Sequence, residues 1–239
     1  MSVTTRDGWV WEFGSSRNEM AEKVKFTNCK AAFFPMLVNL TGRKCLVVGA
    51  GKVAAAKIEG LLLCGADVVV VSPRAVAAIQ RLARNGRLVW RRKAFSQRDV
   101  QGKFLAIAAT DSDKTNAAVF RVCTARGVMC NSVDDPEHCD FIYPAVARRG
   151  ALQIAISTGG RSPALAARLR RELEQQFGPE WSAWVEDLGR RRDELLRGKL
   201  SEKKRLSLLH QMATPTAFRE FLRLGSAATE RKKPARPGL

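Results

Sequence analysis

Short apolar runs alternate with helical patterns along much of the chain. An apolar run begins at Lys44 and breaks at Gly49, an alanine-rich helical pattern covers residues 53–64, and a second apolar run covers Asp67–Val71. Apolar runs of this length are typical of strands that are buried on both faces of a parallel sheet. The three segments therefore predict a βαβ unit of about 30 residues.

The alternation continues beyond this unit. Residues 75–85 and 116–126 have helical patterns, and three further runs predict strands at residues 87–90, 104–109 and 128–133. Strands that alternate with helices indicate an α/β fold with a Rossmann-type, doubly wound parallel sheet.

The period changes after Asp140. Residues 141–147 and 152–157 predict two antiparallel strands joined by a turn at residues 148–150. A hairpin of this kind does not extend a parallel sheet, so its apolar face needs another partner. We therefore predict a homodimer that is built around this region.

Four helical patterns follow, at residues 164–177, 181–196, 203–212 and 216–224. Ser162 is the expected N-cap of the first, with Pro163 in the first helical position. The last residues are basic, polar and rich in proline, which predicts disorder. The predicted organisation is an N-terminal extension (1–32), a dinucleotide-binding domain (33–140), a dimerisation region (141–178), a helical domain (179–226) and a basic disordered tail (227–239).

Gly49, Gly51 and Ala54 follow the first predicted strand at the spacing of a dinucleotide-binding turn. The first glycine permits a tight turn, the second lets backbone N–H groups approach a pyrophosphate, and the alanine lets the next helix pack close to the sheet. A glycine turn between a strand and a helix is also compatible with a purely structural role. The surrounding βαβ pattern is what favours dinucleotide binding.

The type of dinucleotide is less well defined. An Asp or Glu after the second strand commonly binds the ribose 2′-OH, whereas this chain has Ser72, Pro73 and Arg74 at that place. Arg74 is compatible with the 2′-phosphate of NADP and equally with a solvated side chain after a turn proline. The residues alone leave NAD and NADP open.

Two further polar clusters follow predicted strands, at residues 110–113 and 131–135. Ligands of doubly wound sheets bind beyond the carboxyl ends of the strands. Asp111 and Asp113 precede a predicted helix, so we expect them to cap it. Asp134 precedes an Asp-Pro pair, which is also typical of a turn.

The composition argues against several classes of protein. The net charge is +18, but the basic residues are spread along the chain, and the single tyrosine adds little surface for base stacking beyond the phenylalanines and tryptophans, so nucleic-acid binding is not favoured. A polyanionic small molecule accounts for the charge equally well, and so does a role in solubility alone.

Cysteine and histidine usage argues against a bound metal. The six cysteines include no Cys-x-x-Cys pair and the chain has only two histidines, which disfavours a zinc site or a disulfide framework. Cysteines in apolar patterns are expected to act as small hydrophobic side chains. The chain has neither an apolar stretch of membrane-helix length nor a signal-peptide pattern, so we expect a cytoplasmic protein.

A set of motifs between residues 33 and 196 resembles the precorrin-2 dehydrogenases of siroheme biosynthesis, which include stand-alone enzymes and the N-terminal module of siroheme synthase. The motifs are FPMLVNL (34–40), VGAGKVA (48–54), AATD (108–111), NSVD (131–134), FIYPA (141–145) and ISTGGRSP (156–163). Their common order makes the resemblance far more specific than the glycine turn alone.

The resemblance implies an enzyme that oxidises precorrin-2 to sirohydrochlorin with NAD⁺ as the hydride acceptor. Some members of the family also insert Fe²⁺ to give siroheme. The family works as an intertwined homodimer in which the hairpin region exchanges between subunits. Its substrate carries eight carboxylates, which would give the diffuse positive charge a purpose.

The resemblance also assigns site residues by position. Asp134 is the expected catalytic acid/base. The residues expected to bind the dinucleotide are Gly49, Gly51, Lys52, Val53, Ser72, Pro73, Arg74 and Thr110, and those expected to bind the substrate are Asn131, Ser157, Thr158 and Gly159. The chain departs from the family at Ala50, which replaces a frequent third glycine, and at Ser132, which replaces a bulkier residue.

The chemistry supports these roles independently of the family. Aromatising a reduced tetrapyrrole removes a hydride and a proton, so the site needs a nicotinamide and one proton acceptor. Iron insertion displaces pyrrole N–H protons, so the same carboxylate suits both reactions. Two other interpretations remain open on the residues: a redox-sensing, dinucleotide-binding regulator and a dehydrogenase that acts on another substrate.

Overall fold

The computed structural model describes residues 33–225 in full, together with the backbone of strands β1 (Ser2–Thr4) and β2 (Val10–Glu12) and of the last helix as far as Glu230. The chain forms two units, residues 1–35 and 36–239. In the first unit β1 and β2 pair antiparallel. Most of the predicted extension and the predicted disorder of the tail lie outside the described residues.

A five-stranded parallel sheet forms the centre of the second unit. Its strands are β3 (Lys44–Val48), β4 (Asp67–Val71), β5 (Val89–Arg91), β6 (Leu105–Ala108) and β7 (Met129–Ser132), in the order β5-β4-β3-β6-β7. After β3, the chain adds β4 and β5 on one side of this strand and then β6 and β7 on its other side. The predicted doubly wound sheet is confirmed.

Helices cover both faces of this sheet. They are α1 (Lys52–Leu63), α2 (Ala77–Arg84) and α3 (Asp113–Ala125). Cys45 and Val47 of β3 belong to the core cluster that includes residues of α1 and α2, whereas Leu46 and Val48 belong to the cluster that includes residues of α3. Both faces of the strand are therefore buried, which is why its sequence is an unbroken apolar run.

The cysteines pack as small hydrophobic side chains. Cys45, Cys123 and Cys130 are fully buried, and every cysteine within residues 33–225 is a free thiol. Burial raises the pKa of Cys45 to about 11, so this thiol stays protonated at neutral pH. The predicted role of these residues is confirmed.

The hairpin differs from its prediction in register. Its strands are β8 (Ala145–Arg149) and β9 (Leu152–Ile156), and Arg149 pairs with Leu152, so the turn consists of Gly150 and Ala151. The predicted turn at residues 148–150 is wrong, because Gly150 adopts the positive φ of 58° that a two-residue hairpin turn requires.

The start of the hairpin is also later than predicted. The Asn131 side-chain amide donates a hydrogen bond to the Phe141 carbonyl oxygen at 2.9 Å. This bond ties the segment before β8 to the end of β7, so residues 141–144 do not join the strand.

The remaining helices are α4 (Pro163–Gln176), α5 (Glu180–Arg197), α6 (Glu202–Met212) and α7 (Pro215–Glu230). Ser162 caps α4 by accepting a hydrogen bond from the Leu165 N–H at 3.3 Å, and Pro163 is the first helical residue, as predicted. Trp181, Trp184 and Phe218 pack against one another between α5 and α7. None of the helices in the described part combines the length and apolar character needed to cross a bilayer.

Asp99 offers a test of the fold's electrostatics. Its side chain is 2% exposed and accepts hydrogen bonds from Lys93 Nζ at 2.6 Å and from the Ser96 N–H at 2.9 Å. Burial opposes ionisation, but these hydrogen bonds outweigh it and hold the pKa of Asp99 below its ordinary value.

Asp99→Asn is expected to lower the free energy of unfolding at pH 7 by about 1–3 kcal/mol, because the hydrogen bonds at this buried position lose their charged acceptor. The lysine is 44% exposed and can rehydrate, which limits the cost. Because the folded pKa is lowered, this stabilisation is present above the ordinary carboxyl pKa and is lost as pH falls through the folded value. Urea unfolding of the wild type and the variant should show that the difference between their free energies of unfolding becomes smaller as the pH falls. A difference independent of pH would contradict the assignment.

Candidate active site

A cavity of about 900 Å³ opens at the carboxyl ends of β3, β4 and β6. The strand order reverses between β3 and β6, and α/β folds bind ligands at such a switch point. The volume lies in the range of cofactor sites. The predicted site residues that line the cavity are Gly49, Gly51, Ser72, Pro73, Arg74 and Thr110.

The glycine turn forms one wall of this cavity. Gly49 has a φ of 104°, and its N–H donates to the Val71 carbonyl oxygen at 3.0 Å. A Cβ at this position would collide with the backbone carbonyl of Ala109. Residue 49 must therefore be glycine for β3, β4 and β6 to end close together.

Gly51 prepares the start of α1 for an anion. A Cβ built on Gly51 meets no atom within 4 Å, no side chain caps the helix, and the first turn carries no acidic residue. The first N–H groups of a helix lack intrahelical partners, and the helix dipole favours negative charge beside them. The open space and these donors fit the pyrophosphate of a dinucleotide.

Lys52 and Val53 form the first turn of α1, and both are exposed. They are not among the residues that line the cavity. Their contact with the dinucleotide stays a prediction.

The end of β4 is held by the neighbouring strand. The Trp90 indole N–H donates to the Ser72 carbonyl oxygen at 3.0 Å, and the Ser72 hydroxyl donates to the Arg74 carbonyl oxygen at 2.7 Å. The loop therefore has a defined shape, and the exposed Arg74 lines the cavity. The segment presents no carboxylate to a ribose.

Asn116 supports the loop after β6 and was not identified as a site residue from the sequence. Its side-chain carbonyl oxygen accepts a hydrogen bond from the Thr110 hydroxyl at 2.8 Å, and its amide donates to the Thr110 carbonyl oxygen at 3.0 Å. Asn116 is 5% exposed, so these bonds hold Thr110 from inside the protein. The sequence signal that could have identified Asn116 is that a polar residue lies on the buried face of α3, which also carries Val119 and Cys123.

The expected caps of α3 are wrong. The N-cap is Ser112, whose hydroxyl oxygen accepts a hydrogen bond from the Thr115 N–H at 3.2 Å. Asp113 is the first helical residue, and Asp111 precedes the cap and lines the cavity. The loop from Ala109 leaves Ser112 as the residue with extended backbone at the helix start, which is the conformation that an N-cap adopts.

The end of β7 carries the residues predicted for the chemistry. Asn131 is 7% exposed, and its amide also contacts Cys139 Sγ at 3.3 Å, so its contacts within the protein hold the segment after β7. Ser132 is 2% exposed, and its hydroxyl has no hydrogen-bond partner among the described residues. Substrate binding by Asn131 stays a prediction.

Asp134 lies just beyond this strand and is exposed. Its φ of 61° is the only positive value among the described residues other than glycine. Left-handed backbone is uncommon for such residues, although Asp and Asn tolerate it better than most. Asp134 forms no hydrogen bond or ion pair with the described residues, unlike Asp135, which pairs with His138. Its carboxylate is therefore available to a ligand.

The loop before α4 contains the other predicted substrate residues. The Ser157 hydroxyl oxygen accepts from the Gly159 N–H at 3.1 Å, and the Thr158 hydroxyl oxygen accepts from the Ser162 N–H at 3.0 Å. Gly159 has a φ of 61°. None of the three lines the cavity, so a substrate role for this loop stays a prediction. The described residues contain no group of three or more side chains suited to hold a metal ion.

Two family models match the chain. The first is described as NAD(P)-binding and matches residues 36–145. The second is described as the central part of a sirohaem biosynthesis protein and matches residues 149–176. The boundary between the two matches falls inside the hairpin.

The curated relatives that match the chain include several siroheme synthases. The chain is 39% identical over 142 residues to siroheme synthase of Nitrosococcus oceani, covering 59% of this chain and 30% of the relative. It is 40% identical over 168 residues to siroheme synthase of Neisseria meningitidis serogroup B, covering 70% of this chain and 35% of the relative. The chain thus spans about a third of the length of these relatives.

A solved structure matches nearly from end to end. The structure of SirC, a precorrin-2 dehydrogenase, superposes with a TM-score of 0.69 at 28% identity, covering 80% of this chain and 98% of SirC. The likeness therefore extends beyond the dinucleotide-binding sheet to the hairpin and the helices after it.

Proposed function

We propose that this chain, which belongs to the precorrin-2 dehydrogenase family, oxidises precorrin-2 to sirohydrochlorin with NAD⁺. The observation that carries the proposal is the combination of two features at adjacent strand ends. The cavity at β3 and β6 has an uncapped helix start that suits a pyrophosphate, and an unpaired carboxylate at Asp134 follows β7.

The chain's residues would bind and orient the dinucleotide, which when bound supplies the hydride acceptor. The first N–H groups of α1 would donate to the pyrophosphate in the open space at Gly51. Asn116 holds Thr110 at the wall of the cavity. The loop at Ser72 and Arg74 closes the side toward β4.

Asp134 would accept the proton that leaves the substrate as the hydride departs. A general base must present an unpaired lone pair to the proton that it removes. The Asp134 carboxylate meets this condition because it is exposed and makes no hydrogen bond or ion pair with the described residues. If Fe²⁺ is a second substrate, the same carboxylate would accept the pyrrole protons that iron insertion displaces, and iron insertion is therefore part of the proposal. A cytoplasmic location is also part of the proposal.

The positive charge of the chain supports an anionic substrate. A net charge of +18 attracts a polycarboxylate and speeds its association at low ionic strength. Nucleic acid is not part of the proposal.

We also propose a homodimer, because the hairpin forms a sheet of only two strands among the described residues. β8 and β9 pair only with each other among the described strands, and a two-stranded sheet is marginal on its own. Leu152, Ile154 and Ile156 of β9 are only partly buried.

Light scattering at micromolar concentration is expected to give about twice the chain mass of 26.4 kDa. The partly buried apolar side chains of the hairpin are the physical reason, since a second copy would complete their burial. The monomer mass at that concentration would contradict the dimer.

The proposed function is tested by steady-state oxidation of precorrin-2 with each dinucleotide. We expect sirohydrochlorin to form and kcat/KM to be higher with NAD⁺ than with NADP⁺. A higher value with NADP⁺ would overturn the choice of cofactor. If no sirohydrochlorin forms with either dinucleotide, the proposed function is wrong. Repeating the reaction with Fe²⁺ tests iron insertion separately.

A further inference from the structure

Lys57 occupies an unusual place on α1. It lies three residues after Ala54 and directly before Ile58, and both neighbours are fully buried. Residues three positions apart lie on the same side of a helix, so Lys57 borders the face of α1 that packs on the core. Lys57 is accordingly half-buried, although lysine is among the residue types that are least often buried.

The Lys57 ammonium has an aromatic neighbour but no carboxylate partner. Its Nζ lies 3.7 Å from the centre of the Tyr143 ring, close enough for a cation–π interaction. It forms no hydrogen bond or ion pair with the described residues. Lys93 is different, because its Nζ lies 2.6 Å from Asp99.

Lys57 lies within electrostatic range of the predicted catalytic residue. Burial lowers the pKa of Lys57, while the nearby Asp134 and Cys139 act on it in the opposite direction. The aromatic neighbour of the ammonium, Tyr143, is 39% exposed, and Asp134 is also exposed. A ligand bound at Asp134 therefore lies within the electrostatic range of the ammonium.

An ammonium in this environment is costly to the folded protein. Partial desolvation penalises the charge, and an aromatic ring compensates less completely than a hydrogen-bonded carboxylate. Such a group is suited to bind an anion, because part of its hydration has already been lost in the folded protein and a charge-assisted hydrogen bond would replace it.

We infer that Lys57 binds a carboxylate of the tetrapyrrole substrate and thereby fixes the ring system beside Asp134. The inference rests on the proposed function. Lys57 does not line the cavity, and it lies more than one turn beyond the helix start that suits the pyrophosphate. The substrate is therefore the anion that reaches Lys57, while the Tyr143 ring contacts the ammonium within the protein.

Lys57→Met tests this inference because methionine keeps much of the length and apolar character of the side chain and removes the charge. We expect the KM for precorrin-2 and the Kd for sirohydrochlorin to rise about 10- to 100-fold, the range of a charge-assisted hydrogen bond. The Kd for NAD⁺ should stay unchanged. The Tm should equal or exceed that of the wild type, because a partly desolvated charge has been removed.

Two further variants complete the experiment. Lys57→Arg keeps the positive charge and should recover part of the substrate affinity. Lys203→Met removes one exposed lysine from α6 and should leave both substrate constants unchanged, which controls for net charge.

The outcomes separate the inference from the proposed function. A wild-type protein that neither oxidises precorrin-2 nor binds sirohydrochlorin overturns the proposed function. An active wild type with unchanged substrate constants in Lys57→Met overturns the inference alone. A weaker NAD⁺ affinity or a lower Tm in Lys57→Met, without a change in the substrate constants, also overturns it, because Lys57 would then serve the cofactor or the fold.

Discussion

Gly51→Asp is expected to abolish measurable binding of NAD⁺. The new carboxylate would occupy the open space at the start of α1 and would place a negative charge beside the pyrophosphate. Two like charges about 4 Å apart repel by about 4 kcal/mol at an effective dielectric constant near 20. This corresponds to about a 1000-fold loss of affinity. Isothermal titration calorimetry with NAD⁺ measures the effect.

Two controls isolate the cause. Gly51→Ala adds a Cβ that meets no protein atom within 4 Å, so it should fold normally and lose less affinity than the aspartate variant. Gly60→Asp introduces the same charge on the exposed side of α1, where a Cβ is also unobstructed, and should bind NAD⁺ as the wild type does. A folded Gly51→Asp variant with normal affinity for NAD⁺ would contradict the assignment of the glycine turn as the dinucleotide site.

Asp134→Asn is expected to reduce turnover of precorrin-2 by about 100-fold or more, because an amide cannot accept the proton that leaves the substrate. Asparagine keeps the shape of the side chain and tolerates the left-handed backbone at this position, so the fold should be preserved. Asp134→Ala should lose the same activity but also strain a φ of 61°. The measurement is kcat with saturating NAD⁺, together with the Kd for NAD⁺, which should not change.

Glu137→Gln is the matched control for this substitution. Glu137 is an exposed carboxylate in the short 3₁₀ turn after Asp134, and its neutralisation removes the same charge from the same surface. We expect its turnover to remain at the wild-type level. Normal turnover by Asp134→Asn would mean that the chemistry lies elsewhere and that the loop at residues 131–135 has a structural role.

The parallel sheet could be predicted because its determinants are local. The run that becomes β3 is apolar at every position after Lys44, and the strand is buried on both faces. The bounds of β4 were predicted to the residue, since Gly65 and Ser72 flank a run of four valines. The glycine turn was recognisable because its spacing reflects a single steric requirement at Gly49.

Features that depend on distant contacts could not be predicted in the same way. Asn116 acts on Thr110 across the start of α3, and its position in the sequence does not reveal that its amide points inward. The register of the hairpin follows from the turn at Gly150 and from the tether at Phe141, which involves Asn131 on another strand. Lys57 is an ordinary lysine in the sequence until Tyr143 is placed over it.

The most direct test of the account follows both products in one reaction. Purified protein is mixed with precorrin-2 and NAD⁺ without oxygen, and sirohydrochlorin and NADH are measured from their separate absorbance bands over the same interval. We predict that both form at equal rates in the wild type and that both rates fall together in Asp134→Asn. Sirohydrochlorin without NADH, or neither product, would contradict the claim that this site transfers a hydride from precorrin-2 to NAD⁺.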